Sequence, residues 1–192
     1  MFHDTLVPFA ERRIITMKNN NLGLIHIYCG DGKGKTTAAT GLALRCAGAG
    51  YKVLISRFLK NDNSCELSIL NQISNITVVQ TKKEFGFFSS MSEEQIIEAS
   101  EYYSEQLKNA FIDSENYDML FLDEINVAVS LGLISEDLLI DLISHKKDNL
   151  ELVLTGRNPS ERVTSLADYV SEIKCIRHPY NQGVTARIGI EK

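Results

Sequence analysis

The residues with the clearest chemical potential form a glycine-rich loop at positions 30–37. In order, the loop consists of Gly30, Asp31, Gly32, Lys33, Gly34, Lys35, Thr36 and Thr37. Glycines let backbone amides turn towards a phosphate, a lysine reaches phosphate oxygens, and a threonine hydroxyl ligates Mg²⁺. The loop is therefore predicted to bind nucleotide phosphates, with Lys35 on the phosphates and Thr36 on the metal. A turn that only caps a helix would need neither residue.

A second candidate element is the acidic pair Asp123 and Glu124, which follows an apolar run at residues 119–122. A buried strand that ends in carboxylates delivers them to its C-terminal edge, where nucleoside triphosphatases hold their metal. Because neighbouring strand residues point to opposite faces, the two carboxylates are expected to differ in role. An isolated pair of this kind is more often a solvated acidic turn, but the loop in the same short chain favours the site.

Several basic residues are open to two interpretations. Arg157 follows a later apolar run, where the sheet edge would place a cation that faces phosphate, and its spacing fits an exposed surface arginine equally well. Arg45, Arg57 and Lys60 form either a cationic rim or, as is commoner, solvated surface charges.

The aromatic residues Phe85, Phe87 and Phe88 surround Gly86 in a predicted loop. Such a segment either packs into the core or covers a flat apolar ligand, and the sequence supports both alternatives. His178 lies near a cysteine, but two ligands do not make a zinc site, so a structural role is favoured for it.

The elements that must position these residues alternate along the chain. Helices are predicted at 36–47, after the capping box of Ser92 and Gln95, and from Ser135 onwards. This alternation predicts an α/β fold, with a mostly parallel sheet flanked by helices on both faces. The predicted strands cover residues 24–28, 52–58, 76–80, 119–122, 150–155, 168–176 and 184–190.

Length and composition limit the class of protein. The chain has 192 residues, of which 44% are hydrophobic and 23% charged, as expected for one globular domain. We expect an N-terminal arm at residues 1–21 and a single domain at residues 22–192. The net charge of −5 argues against a general nucleic-acid binder, and no run of about 18 apolar residues predicts a membrane span. The four scattered cysteines are expected to be reduced thiols in a cytoplasmic protein.

Taken together, these motifs resemble the ATP:corrinoid adenosyltransferases of the cobalamin-synthesis type, the cob(I)yrinic acid a,c-diamide adenosyltransferase family. The resemblance runs in order from about Gly23 to Glu191. It implies a fold of the P-loop nucleoside-triphosphatase type. The loop at 30–37 carries part of the resemblance, because it has three residues between Gly30 and Gly34 where the general pattern has four. The other motifs that carry it are Arg45, Phe58-Leu59-Lys60, Leu122-Asp123-Glu124, Thr155-Gly156-Arg157, Arg177-His178-Pro179 and the ending from Gly183 to Glu191.

The resemblance implies an activity and its partners. The 5′-deoxyadenosyl group of ATP would pass to the Co(I) of cobalamin, cobinamide or cobyrinic acid a,c-diamide, and triphosphate would be released. Mg²⁺ would accompany ATP, and the cobalt would be reduced by an electron donor such as a reduced flavoprotein. The resemblance also implies a homodimer whose N-terminal arm covers a corrinoid site.

Individual roles carry over by position. The loop at 30–37 and Arg157 would bind ATP, and Thr36 and Glu124 would hold Mg²⁺. Lys35, Glu124 and Phe87 would be catalytic, and the corrinoid would contact Arg45, Phe87, Phe88 and Glu124. The chain departs from the family where Gly86-Phe87-Phe88-Ser89 stands for Gly-Phe-Thr-Trp, since it contains no tryptophan. Arg57 and Cys65 likewise replace the usual Gln and Gly.

Two other functions use the same loop. A small-molecule kinase would transfer the γ-phosphoryl group, with Glu124 near an acceptor hydroxyl. A switch ATPase would hydrolyse ATP, with Glu124 orienting the water. The reaction product separates these functions, because both alternatives release ADP whereas the transferase releases triphosphate.

Overall fold

The computed structural model describes residues 22–191. Within them, six strands form one sheet in which every neighbouring pair is parallel. The strands are β1 (Ile25–Cys29), β2 (Val53–Arg57), β3 (Ile76–Val78), β4 (Met119–Asp123), β5 (Glu151–Thr155) and β6 (Tyr169–Glu172). Their order across the sheet is β3-β2-β4-β5-β1-β6.

Helices connect the strands, as the alternation predicts. The capping box at the start of the longest helix is confirmed, because the Ser92 hydroxyl accepts the Gln95 amide and the Gln95 side chain accepts the Ser92 amide. The helices are α1 (Lys35–Gly48), α2 (Leu67–Leu70), α3 (Glu93–Asp113), α4 (Ile125–Ser130), α5 (Glu136–Ser144) and α6 (Glu161–Thr164).

The two faces of the sheet bury separate hydrophobic cores. Strand β4 shows the division, because Leu120 and Leu122 pack in the core that includes α3 and α5, whereas Phe121 packs in the core that includes α1. Every residue of β2, β4 and β5 is buried, as expected for central strands of a parallel sheet. The predicted fold, a parallel sheet with helices on both faces, is confirmed.

The order of the strands positions the site. Strand β5 pairs with both β4 and β1, so the carboxyl ends of these three strands lie side by side. The phosphate loop follows β1, Asp123 ends β4, and Thr155 ends β5. The acidic pair and the loop, which are far apart in sequence, are therefore brought to one edge of the sheet.

One predicted strand is wrong. Residues 184–190 form no strand, because Gly189 has a φ of 76° and the chain reverses so that Ile190 and Glu191 donate their amides back to the Arg187 carbonyl. The alternating apolar residues of this segment are exposed, whereas a strand needs a pairing edge. The predicted N-terminal arm, residues 1–21, lies outside the described residues. Within residues 22–191, no helix combines the length and apolar content that crossing a lipid bilayer requires.

Candidate active site

The phosphate loop turns sharply between β1 and α1. Gly30 and Gly34 adopt φ values of 97° and 120°, which side chains rarely tolerate. Gly32 is needed for a different reason: a Cβ atom there would lie 2.8 Å from the backbone oxygen of Ile173. The Gly32 amide donates to that same oxygen at 2.8 Å. The segment after β6 therefore packs against the loop and accepts a hydrogen bond from it.

Lys35 is the first residue of α1 and is buried. Its ammonium donates to the Gly32 carbonyl at 2.8 Å, within its own loop. Burial lowers the pKa of Lys35, although the nearby Glu124 carboxylate works in the opposite direction. A cation that has lost much of its water in this way gains strongly from a phosphate.

Asp123 lies at the centre of a polar cluster under the loop. One carboxylate oxygen accepts the Thr36 hydroxyl at 2.9 Å and the Thr155 hydroxyl at 2.7 Å. The other oxygen accepts the Lys60 ammonium at 2.6 Å, and the residue is only 1% exposed. The structure thus brings Asp123 into contact with Thr36, whereas the residue that the resemblance places with Thr36 on Mg²⁺ is Glu124.

Glu124 is directed by an unusual backbone conformation. Its φ of 62° is left-handed, and its amide donates to the Thr155 hydroxyl at 2.9 Å as α4 begins. Burial raises the pKa of its carboxyl, Lys60 offsets part of this effect, and Asp123 adds to it. A non-glycine residue held in this conformation costs free energy and is commonly found at functional sites.

A cleft of about 350 Å³ joins the predicted nucleotide-binding residues. Glu124 and Arg157 line it together with loop residues 31–37, whereas Gly30 does not. The charge of Arg157 affects the pKa of Asp31, of Lys35 and of Glu124, which agrees with this position. His178 and Glu191 also line the cleft, although the sequence favoured a structural role for the histidine.

Two further openings adjoin this cleft. The larger, of about 840 Å³, lies between the start of α1 and the residues around Glu66 and is bordered by Thr37 and Lys60. The smaller, of about 190 Å³, is bordered by Lys60 and Phe87. Lys60 therefore lies where all three openings meet.

The predicted aromatic and basic contacts separate into different environments. Phe87 is 85% exposed, whereas Phe88 is half-buried against the larger core, as is Phe85. Arg45 is exposed on the last turn of α1 and lines none of the three openings described above. Of the three predicted aromatic residues, Phe87 alone projects freely.

Of the two alternatives that the sequence leaves open for Arg57 and Lys60, a cationic rim or solvated surface charges, the structure makes neither residue a solvated surface charge. Arg57 is 4% exposed and donates through Nη2 to the Asn61 carbonyl and, at 3.2 Å, to Asp62. Its Nε and Nη1 atoms have no hydrogen-bond partner within residues 22–191. Lys60, by contrast, enters the polar cluster. The Phe58-Leu59-Lys60 motif and the possible cationic rim were the sequence signals that included Lys60.

Comparison with known proteins identifies the family of this chain. Residues 21–191 match the ATP:corrinoid adenosyltransferase BtuR/CobO/CobP family. A corrinoid adenosyltransferase from a Sinorhizobium species is 29% identical over 185 residues, which cover 95% of this chain and 86% of the relative. The corrinoid adenosyltransferase of Escherichia coli strain K12 is 29% identical over 180 residues, with coverages of 92% and 89%.

Among solved structures, a KaiC-like protein from Pyrococcus horikoshii aligns with 80% of this chain and 73% of its own, at a TM-score of 0.47 and 16% identity. That match is too distant to bear on function. The family match, in contrast, extends over nearly the whole sequence and includes the loop, the acidic pair and Arg157. The chain belongs to the ATP:corrinoid adenosyltransferase BtuR/CobO/CobP family.

Proposed function

We propose that this protein transfers the 5′-deoxyadenosyl group of ATP to the Co(I) of a reduced corrinoid. The electron pair of Co(I) forms the bond to C5′, the C5′–O bond breaks, and triphosphate departs with that bond's electrons. The family match over residues 21–191 is the observation that carries this proposal. No observation favours the kinase or the switch ATPase that the same loop permits.

The phosphate loop supplies charge against the leaving triphosphate. Lys35 is buried beside the loop amides, and Arg157 lines the same cleft, so both cations suit an anion that gains charge as C5′–O breaks. The hydroxyl of Thr36 and the carboxylate of Asp123 are oxygen donors of the kind that Mg²⁺ prefers. When bound, Mg²⁺ supplies further positive charge to the triphosphate.

We assign Glu124 a positioning role. Co(I) is itself the nucleophile and no proton has to be removed, so the reaction needs no general base. Glu124 borders the nucleotide cleft and lies 3.9 Å from the Lys60 ammonium, which borders all three openings. Its carboxylate is therefore suited to align the nucleotide with the corrinoid, and alignment is a large part of the catalysis such a reaction requires.

We assign the corrinoid to the two openings beside Lys60. Their combined extent and their exposed ring, Phe87, suit a large flat ligand better than the narrower nucleotide cleft does. Phe87 would lie against the corrinoid and exclude water from one cobalt face. Phe88 packs into the core and would support the loop, and Arg45 would meet only the periphery of the ligand.

The remaining features of the proposal concern partners and location. We infer a homodimer, for which exposed apolar side chains such as Ile97 and Ile112 on α3 offer a surface. An electron donor such as a reduced flavoprotein would supply Co(I). The four cysteines are free thiols, which suits a reducing cytoplasm.

Product analysis tests the proposed function. The protein is incubated with ATP, Mg²⁺ and chemically reduced cobalamin, and the phosphate products are separated. Intact triphosphate that forms only when Co(I) corrinoid is present supports adenosyl transfer. Formation of ADP, with or without corrinoid, would instead indicate phosphoryl transfer or hydrolysis.

A further inference from the structure

The ammonium of Lys60 is surrounded by oxygen atoms. It donates to the Thr36 hydroxyl at 2.9 Å and to an Asp123 carboxylate oxygen at 2.6 Å. A carboxylate oxygen of Glu124 lies 3.9 Å away. The lysine side chain is 25% exposed, so the charge lies mostly inside the protein.

These oxygens form a donor set for a divalent cation. A hydroxyl and carboxylates are hard ligands that suit Mg²⁺, and the remaining positions of a Mg²⁺ site are usually filled by water and nucleotide phosphates. Within residues 22–191 no group of three or more histidine, cysteine, aspartate or glutamate residues is arranged to hold a metal alone. The ammonium thus occupies the place where a metal shared with the nucleotide would contact Thr36 and Asp123.

The backbone holds Lys60 in this position. Leu59, immediately before it, has a φ of 57°, and Glu124, opposite it, has a φ of 62°. A left-handed conformation is unusual for leucine, because a bulky side chain there is costly. Two strained residues therefore flank the same cluster, as expected where the position of a side chain matters more than local stability.

The buried Asp123 carboxylate needs a neighbouring positive charge whether or not a metal is bound. The Asp123 carboxylate is almost completely buried, and a buried carboxylate without a compensating charge is strongly destabilising. Hydrogen bonds from Thr36 and Thr155 satisfy one of its oxygens but bring no net charge. Lys60 supplies that charge when no metal is bound.

We propose that Lys60 is a positioning residue that occupies the divalent-cation position of the nucleotide-free protein and leaves it when Mg²⁺ arrives with ATP. The proposal deepens the proposed function and rests on it only in taking ATP to bring the metal. Lys60 keeps Thr36 and Asp123 in place and suppresses metal binding in the absence of nucleotide. The metal and the ammonium cannot both occupy one set of oxygens.

Metal binding without nucleotide tests this proposal. Mn²⁺ replaces Mg²⁺ as the probe, and the free ion is followed by electron paramagnetic resonance. Lys60→Met keeps the length of the side chain but removes its charge, so the dissociation constant for Mn²⁺ should fall at least about tenfold relative to the wild type. Lys108→Met removes an exposed lysine on α3 and serves as the matched control, with Mn²⁺ affinity unchanged.

Each outcome has one meaning. Tighter Mn²⁺ binding by Lys60→Met, but not by Lys108→Met, supports the proposal, and unchanged or weaker binding overturns it. If Lys60→Met does not fold, as judged by circular dichroism, Lys60→Gln is measured in its place, since the amide can still bond Thr36. Triphosphate formation is assayed separately, so that a protein that binds Mn²⁺ as expected but makes ADP would contradict the proposed function alone.

Discussion

Lys33 and Lys35 lie two residues apart in the phosphate loop but differ in how much water their ammonium groups retain. The Lys33 side chain is half exposed, and its nearest acidic partner is Glu191 at 3.8 Å. Lys35 is buried, and it donates to the Gly32 carbonyl in the loop itself. A bound phosphate should therefore stabilise the buried Lys35 ammonium more than it stabilises the exposed Lys33 ammonium.

Replacing Lys35 by alanine should severely reduce catalysis. The loss of a preorganised donor beside the leaving triphosphate should cost about 2–4 kcal/mol of transition-state stabilisation. The values of kcat/KM for ATP measure this effect, and Lys33→Ala, in the same loop, should lose much less. Near-normal turnover of Lys35→Ala at saturating ATP would remove the loop from the mechanism.

Glu124 should impair stability and support activity at the same time. A carboxyl whose pKa is raised on folding destabilises the folded state once it ionises, so stability falls as pH rises from its ordinary pKa of 4.5 through the folded-state value. Glu124→Gln should therefore melt at a higher temperature than the wild type at neutral pH. The difference should disappear below pH 4.5, where both states hold the proton.

Glu124→Gln should be less active than the wild type, although it should be more stable at neutral pH. Loss of the charged positioning group should reduce adenosyl transfer at least about tenfold, with the far-ultraviolet circular dichroism unchanged. A Glu124→Gln protein that transfers at the wild-type rate would show that the Glu124 carboxylate has no positioning role in the reaction.

The sequence indicated which individual residues are candidates for the site, but it did not indicate which of them contact one another. Lys35, Thr36, Glu124 and Arg157 could be chosen because loop and strand-end motifs have fixed local geometry. The contact between Lys60 and Asp123 spans 63 residues, and no local spacing encodes which cation reaches a given carboxylate.

Among the structural elements, the segment after β6 supports the phosphate loop through two hydrogen bonds. The Gly32 amide donates to Ile173, and the Cys175 amide donates to the Asp31 carboxylate at 2.9 Å. That bond is the main cause of the lowered pKa of Asp31. The shape of the loop thus depends on a segment more than 140 residues away in sequence.

Gly32→Ala should separate these two segments. Its Cβ atom would lie 2.8 Å from backbone atoms of Ile173 and Lys174, so backbone must shift, at a cost of about 1–3 kcal/mol. We expect a lower melting temperature and at least about tenfold weaker ATP binding. Gly48→Ala is the control: nothing lies within 4 Å of its new Cβ, and it should gain up to about 1 kcal/mol in α1. Equal behaviour of the two variants would contradict this account of the loop.

The loop that carries Phe87 should matter for reduction more than for transfer. Phe87→Ala should slow the reaction that starts from Co(II) far more than the reaction that starts from Co(I), because only the former gains when water is kept off the cobalt face. Stability should not change, since the ring is 85% exposed, and Ile69→Ala, another exposed apolar residue, should change neither rate. Equal losses from both starting states would indicate a general binding role.

Element types were largely predictable, because period-two and helical patterns are local. The strand predicted at 184–190 was wrong because an alternating segment pairs only when a free sheet edge lies beside it. A local sequence pattern carries no information about that edge. The turn around Gly189 instead leads Ile190 and Glu191 to the nucleotide cleft.

For the molecule as a whole, the order of strands decides where chemistry takes place. The alternation of elements predicted a parallel sheet, but helical crossovers of similar length permit several strand orders. The observed order places β5 between β4 and β1, which brings Thr155 to Asp123 and the phosphate loop. The fold class could therefore be derived from the sequence, whereas the geometry of the polar cluster could not.

The central claim is that this site breaks the C5′–O bond of ATP and leaves the phosphate chain intact. ATP labelled with tritium at C5′ and with ³²P at the γ-phosphate is incubated with the protein, Mg²⁺ and Co(I) cobalamin, and both labels are followed. We predict that tritium appears in the corrinoid and ³²P in triphosphate, in equal molar amounts, and that Lys35→Ala forms both products far more slowly. Recovery of ³²P as inorganic phosphate or in a phosphorylated acceptor, with tritium remaining in ADP, would contradict the account.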